Sequence, residues 1–293
     1  AVSRNLANDI YIERGAGERE LVSVNDQPLQ LQVSRPDRQP LPWAIRPKIT
    51  DSHVAALGAY WQTAKGQTIK VDLTNTNTFS IGFLGSSGSG KSMAMYGPLL
   101  QLIENTDPAC TEFYFADVDS NQFDCLRGLP HVRYVAETDE QAADMLHYLR
   151  GLVEADRELT NPIRRFVVID EAHLLTAMSE YADRIIDDLT VIATTGRKKK
   201  YNLLIALQDP SKATLPMAIL RQLKVMVIGK TSPDTFLRSQ LQIEGASKLR
   251  GDGDMICILN GTQIRFKSFY LSEQDKITAI SRIARRWGVN NDT

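Results

Sequence analysis

Phe79-Ser80-Ile81-Gly82-Phe83-Leu84-Gly85-Ser86-Ser87-Gly88-Ser89-Gly90-Lys91-Ser92 is the stretch that decides how this chain reads. Its first six residues are mostly apolar and predict a buried strand over 79–84. The eight that follow satisfy every fixed position of G-x-x-x-x-G-K-[ST], and a helical stretch leaves from Lys91. Glycines let backbone N–H groups turn inward around a β-phosphate, and the following helix N-terminus adds a favourable dipole. Lys91 supplies a point charge to the β- and γ-phosphates, and Ser92 a hydroxyl ligand for Mg2+. Gly85, Ser86, Ser87, Gly88, Ser89, Gly90, Lys91, Ser92 and the adjoining Met93 are therefore the expected nucleotide-binding set, with ATP and Mg2+ as cofactors. The bland alternative is a Gly/Ser-rich surface loop, and the flanking strand and helix argue against it.

Hydrolysis needs more than a phosphate cradle. Phe166-Val167-Val168-Ile169-Asp170-Glu171 reads as a buried strand ending in two carboxylates. Asp170 would hold Mg2+ through water, and Glu171 would polarise the water that attacks the γ-phosphate. Asp117 is the next candidate acid. A helix N-cap is the structural alternative for the Asp-Glu pair. Two adjacent acids separate this arrangement from kinases and small GTPases. A further strand over 202–207 ends at Gln208, where an additional-strand ATPase carries a polar sensor of the γ-phosphate; a water-facing strand end is the alternative.

From Ile69 onward short apolar runs alternate with helical periodicity, which predicts an α/β fold with a mainly parallel sheet. Together with the motifs this predicts a RecA-like P-loop NTPase core of the additional-strand type. Strands are expected over 79–84, 112–116, 166–169, 202–207, 225–228 and 255–259, and long helices over 139–159, 181–195 and 273–287. Pro98, about two turns into the helix after Lys91, predicts a bend or early break. Residues 1–75 read differently, as a small accessory segment preceding an ATPase domain over 76–293. Alternation over 21–33 suggests a strand pair turned at Asn25-Asp26. Prolines between Pro36 and Pro47 suggest an irregular tether, and Thr50 or Asp51 caps a short helix carrying Val54, Leu57 and Trp61.

Composition fits this frame. Of 293 residues, 43% are hydrophobic and 24% charged, which excludes disordered and fibrous classes. No apolar run approaches the roughly 18 residues of a membrane span. Three scattered cysteines, Cys110, Cys125 and Cys257, give no disulfide framework or zinc site, so a reduced, cytoplasmic setting is expected. The chain opens on Ala1, which leaves room for an upstream membrane segment or a membrane-anchored partner. With 34 basic against 35 acidic residues the net charge is −1, so nucleic-acid contact must come from local clusters such as 197–200 or Arg282, Arg285 and Arg286. Solvated helix faces are the alternative for both.

The order of motifs resembles the FtsK/SpoIIIE family of hexameric DNA translocases, within the HerA–FtsK superfamily, from about Lys70 to the end. Four stretches carry the likeness. They are Gly85 to Ser92; Asp117 followed by Gly128-Leu129-Pro130-His131; Ile169-Asp170-Glu171-Ala172 with Ala206-Leu207-Gln208-Asp209-Pro210; and Gly245-Ala246, Leu249 and Gly251-Asp252-Gly253-Asp254-Met255. The last is far more specific than a P-loop. Asp209 stands where the family has Arg, and Asp119 where it has Lys. The resemblance implies a homo-oligomer, a hexameric ring hydrolysing ATP at subunit interfaces and moving duplex DNA through its pore. Lys224 aligns with the family's trans-acting arginine, and Arg221 lies one helical turn earlier. With Lys91, Glu171 and Gln208 they complete the expected catalytic set; Arg197 is a third candidate cation. Lys230, Thr231 and Arg238 match the pore loops in position, with Lys248 and Arg250 nearby. Ordinary surface charge is the alternative for all five.

The same superfamily includes type VII secretion and conjugative coupling ATPases, which move protein or nucleoprotein; Leu129-Pro130-His131-Val132 resembles the secretion branch too. A nucleotide-binding module with a dead site is a third reading, against which Lys91 and Glu171 both stand.

Overall fold

The computed structural model describes the strands at 2–4, 10–13 and 19–22, and residues 40–60, 68–156, 163–208, 215–232 and 234–288. The chain divides between Gln39 and Pro40 into two compact units. In the smaller, β1 (Val2–Arg4), β2 (Ile10–Glu13) and β3 (Arg19–Val22) form an antiparallel sheet in chain order. Leu21 and Val22 lie in β3; the expected turn at Asn25-Asp26 and the strand after it lie outside the described residues.

The larger unit is built on one mixed sheet. Along the chain run β4 (Leu41–Pro42), β5 (Val54–Tyr60), β6 (Thr68–Asp72), β7 (Ile81–Leu84), α1 (Lys91–Asn105), β8 (Thr111–Ala116) and β9 (Val132–Ala136). Then come α2 (Asp139–Ala155), β10 (Arg164–Ile169), α3 (Ala182–Thr195), β11 (Tyr201–Leu207), α4 (Met217–Leu220) and β12 (Val225–Ile228). The unit closes with α5 (Thr235–Leu241), β13 (Asp254–Leu259), β14 (Thr262–Tyr270) and α6 (Glu273–Arg286). The strand order is β6-β5-β14-β13-β12-β7-β11-β10-β8-β9, with β4 beside β14. From β12 to β9 all neighbours are parallel; from β13 to β6 they are antiparallel. The RecA-like core with β11 inserted between β7 and β10 is thus present. Both faces of its parallel part are covered, which is why those strands read as continuous apolar runs. Phe166 and Val168 pack with α1 on one face, Val167 and Ile169 with α2 and α3 on the other.

Three expectations fail for reasons that lie in tertiary packing. Val54–Tyr60 is a strand, not the short helix expected there. Gly58 passes under the Lys267 carbonyl, where any Cβ would lie 2.0 Å from that oxygen. Gln101, buried on α1, donates to Ala56 O at 3.0 Å and accepts from Ala56 N at 3.1 Å, filling the bulge in β5. Because β5 and β6 belong to the main sheet, the larger unit begins at Pro40, not near residue 76. The expected tether contributes Trp43, which is buried against Gly97 and edge-on to Phe269. Likewise α1 continues through Pro98 to Asn105. The proline forfeits one helix hydrogen bond, but every residue from Ala94 to Ile103 is buried and holds the helix together. Among the described residues no helix is long and apolar enough to cross a membrane.

Candidate nucleotide site

Strand β7 ends at Leu84 between parallel β11 and β12. The loop that leaves it is anchored to both: Gly85 N donates to Leu207 O at 3.1 Å, and Ser86 N to Lys230 O at 2.9 Å. Gly90 caps α1 in the left-handed region at φ 90°, and a Cβ there would meet Gly253 N at 3.0 Å. Gly253 N in turn donates to Ser89 O at 3.4 Å. The loop is therefore braced from β7's neighbours and from the 251–254 turn, while Gly88 at its tip faces open space. Ser89 Oγ is buried against Gly85 and Gly229 and has no hydrogen-bond partner among the described residues.

The acids stand at the same edge, one strand beyond β11. Asp170 is buried, its Oδ1 accepting from Glu171 N at 3.0 Å and its Oδ2 from Gln122 Nε2 at 3.2 Å. Burial and then the charge of Glu171 push the Asp170 carboxyl up to about 6. Glu171 holds a left-handed backbone at φ 48°, and its Oε1 accepts from Lys91 Nζ at 2.5 Å, both side chains being largely shielded from solvent. Asp117 is spoken for. Its Oδ1 accepts from Ser120 N and Oγ and its Oδ2 from Phe123 N, closing the turn that carries Gln122 to Asp170. Gln208 follows Leu207, the partner of Leu84, and so stands at the strand tips between the two motifs.

This arrangement suits a nucleotide and a divalent cation. The P-loop is an open backbone cradle at Gly88, and the Lys91 ammonium sits in it beside a carboxylate that an anionic phosphate can displace. Burial first, and then the charge of Glu171, make the ionised Asp170 carboxyl costly, and a divalent cation bound there would relieve both.

The candidate cations occupy two other places. Arg221 and Lys224 are exposed at the start of β12, where Val225 N donates to Ser80 O. That is the opposite end of the sheet from the P-loop. Arg197 is exposed at the same edge, its guanidinium 6.0 Å from the Phe79 ring. Lys230, Lys248 and Arg250 are exposed in the segments beyond β12, and Arg238 is exposed on α5 between them; Ser247 Oγ donates to Asp234 Oδ2 at 2.8 Å and ties these segments together. Thr231 does not join them: it is buried, with its N–H directed at Ala246 O, and is withdrawn from the expected DNA contacts. Sequence reasoning also missed Gln122, the packing of Gly251 and Gly253 on the P-loop, and His173. The Gly-Asp-Gly-Asp run was conspicuous, but no sequence pattern names what it touches.

The sequence pattern of the FtsK/SpoIIIE family matches residues 48–227, and so begins before β5, earlier than Lys70. The DNA translocase FtsK of Lactiplantibacillus plantarum is 24% identical over 220 residues, which cover 65% of this chain and 28% of that protein. The chain thus spans under a third of that relative. Among solved structures, the pCW3 conjugation coupling protein TcpA, as a monomer with ATPγS, superposes with a TM-score of 0.68 at 21% identity over 84% of this chain and 74% of that one. EssC of Geobacillus thermodenitrificans (ATPases 2 and 3) gives a TM-score of 0.70 at 15% identity, covering 87% and 53%. These likenesses fix the fold as that of the P-loop ATPases.

Proposed function

The chain belongs to the FtsK/SpoIIIE family, and from that premise we propose that it is an ATP-hydrolysing motor that assembles as a ring, a hexamer, and drives duplex DNA through its pore. The observation that carries this reading is the meeting of Lys91 and Glu171 across β11. Residues Gly85 to Met93 bind the nucleotide. Ser92 and Asp170 hold Mg2+, which supplies neutralising charge to the phosphates. Glu171 accepts the proton of the attacking water, and Gln208 reports on the γ-phosphate. Arg221 or Lys224 completes the neighbouring subunit's site. The length of β12, four residues at roughly 3.3 Å each, keeps both away from their own P-loop, as a trans role requires. Lys230, Arg238, Lys248 and Arg250 track DNA phosphates without reading sequence. A net charge of −1 is compatible with this, since only the lumen need be basic.

ATPase assays with and without duplex DNA test the proposal, with Lys91→Ala as the inactive control. Strong stimulation by DNA is expected. Replacing Lys230 and Arg238 by Ala should preserve the DNA-free rate, and should reduce the salt slope of DNA binding by up to about two, roughly one counterion per phosphate contact. An unchanged slope places both residues outside the DNA path. A rate indifferent to DNA favours the second reading, a protein or nucleoprotein cargo, on the fold that this chain shares with the conjugation coupling protein TcpA.

A further inference from the structure

Glu171 cannot do two things at once. Its Oε1 is engaged by the Lys91 ammonium at 2.5 Å. A carboxylate bonded to that cation is not free to take a proton from water, and an ammonium bonded to it is not free to bind phosphate. Nucleotide binding must therefore separate the pair. The released carboxylate would then be a shielded charge without its cation, a costly condition unless another donor receives it.

One candidate donor is within reach. His173 Nδ1 lies 3.4 Å from Glu171 Oε2, just beyond ordinary hydrogen-bond length. Both atoms are buried, and neither has a hydrogen-bond partner among the described residues. The other two buried or half-buried histidines are placed differently. His131 bonds Thr106 O through Nε2 and meets Trp287 edge-on, and His53 meets Thr111 Oγ1 and stacks on Phe166. Among the described residues His173 has neither kind of contact, as expected of a group kept for a second arrangement rather than for packing.

The backbone makes the change small. Leu174 N donates to Glu171 O at 2.9 Å, so Glu171 and His173 share one tight turn. Thr176 Oγ1 donates to Ala172 O at 2.8 Å, and Leu174–Met178 wind as a π-helix, a rare form that gathers at functional sites. The two Glu171 oxygens already face the two partners, Oε1 toward Lys91 and Oε2 toward His173, so a small side-chain adjustment would close the His173 contact once Lys91 is withdrawn.

We infer that His173 is a positioning residue: when phosphate takes the Lys91 ammonium, the His173 Nδ1–H receives the freed Glu171 carboxylate and holds it toward the attacking water. This deepens, and rests on, the reading of the site as an ATPase.

Two measurements test it. In steady-state kinetics His173→Leu removes the donor while keeping bulk, and His173→Asn restores a donor near the Nδ1 position. His173→Leu should lower kcat roughly 10- to 100-fold, the scale of a misplaced catalytic group, with the ATP KM little changed, and His173→Asn should recover most of the loss. In the Glu171→Gln background His173→Leu should cost nothing further. Unchanged binding of AMP-PNP certifies that the variants fold. The second readout is the imidazole 15N spectrum, tractable because the chain has four histidines. Adding AMP-PNP with Mg2+ should shift the His173 Nδ1 resonance in the wild type but not in Glu171→Ala. An unmoved resonance, or a His173→Leu enzyme as fast as wild type, overturns the inference and leaves the ATPase reading standing. A wild-type chain that binds AMP-PNP but never hydrolyses ATP overturns both.

Discussion

Strand β10 opens on two arginines and is followed at once by two acids, and the fold treats its two ends in opposite ways. At the start, Arg165 donates to Glu112 and Asp156, each at 2.9 Å, and to the Tyr201 hydroxyl at 2.8 Å. Arg164 reaches Leu73 O and the Asn202 side chain. At the other end Asp170 sits at about 6, Glu171 holds a left-handed backbone, and Glu171 Oε2 and His173 Nδ1 lack hydrogen bonds among the described residues. A charge answered by opposite charge within the protein, as Arg165 is by Glu112 and Asp156, needs no ligand to complete it. Charges left short are those a ligand can complete, and the cost of leaving them so is carried by the well-satisfied remainder.

The largest expected effect tests whether that contrast holds along the whole sheet. Arg221 and Lys224 are exposed at the edge where Arg164 and Arg165 are engaged. If one of them is the trans-acting cation, its replacement by Ala should cost roughly 10³ in rate while ATP still binds. Arg221 has the better chemistry, because its planar fork spans two oxygens and stays charged. Mixing either inactive variant with Glu171→Gln subunits should restore activity, since some interfaces then pair an intact base with an intact cation. If neither mixture recovers although mixed rings form, or if both variants turn over normally, this edge serves structure alone.

A second experiment exchanges the two ends. Arg165→Ala takes the arginine from Asp156 and leaves Glu112 only the more exposed Arg133, and it should cost about 3 kcal/mol of unfolding free energy, while the folded fraction hydrolyses ATP normally. Glu171→Gln should slow hydrolysis by the folded protein at least ~100-fold, and it too should cost some stability by leaving the shielded Lys91 ammonium without its carboxylate. Urea unfolding and ATPase rates on both variants decide it. A loss below about 0.5 kcal/mol for Arg165→Ala would place that cluster with ordinary surface pairs.

The same contrast explains what could be read from the sequence. Motifs whose chemistry depends on spacing alone, the P-loop and the strand ending at Asp170-Glu171, lie where sequence reasoning puts them, and strand 225–228 matches its expected bounds. Long amphipathic helices were equally clear, because periodicity encodes a single buried face. The failures involve distant partners. Val54–Tyr60 has helix-compatible residues, yet the close approach of Lys267 to Gly58 and the Gln101 bridge make it a strand. β9 and β14 escaped notice because their outer residues are polar or charged. Thr231 was expected to face DNA because position in a loop does not disclose burial. His173 adjoins a recognised motif, but its place beside Glu171 depends on a turn that spacing does not specify.

The smallest effect follows from the Asp170 proton. Its folded-state value of about 6 lies above the ordinary 3.8, so burial and Glu171 favour the neutral acid. The sign is then fixed. In the nucleotide-free chain this carboxyl is an unfavourable charge above about pH 6, and its contribution to stability improves as the pH falls from there toward 4. Asp170→Asn mimics the neutral form, so it should be more stable than wild type at pH 7, with the advantage fading as wild-type Asp170 becomes protonated. Mg2+ works against the proton, because a protonated carboxyl is a poor ligand. Mg2+-dependent ATPγS binding should therefore weaken by about tenfold per pH unit once the pH is well below 6, the slope of one displaced proton. Mg2+-free binding measured in parallel corrects for titration of the nucleotide itself. A flat Mg2+ dependence between pH 7 and 5 would mean that Asp170 is already ionised, and that this end of β10 is as well satisfied as the other.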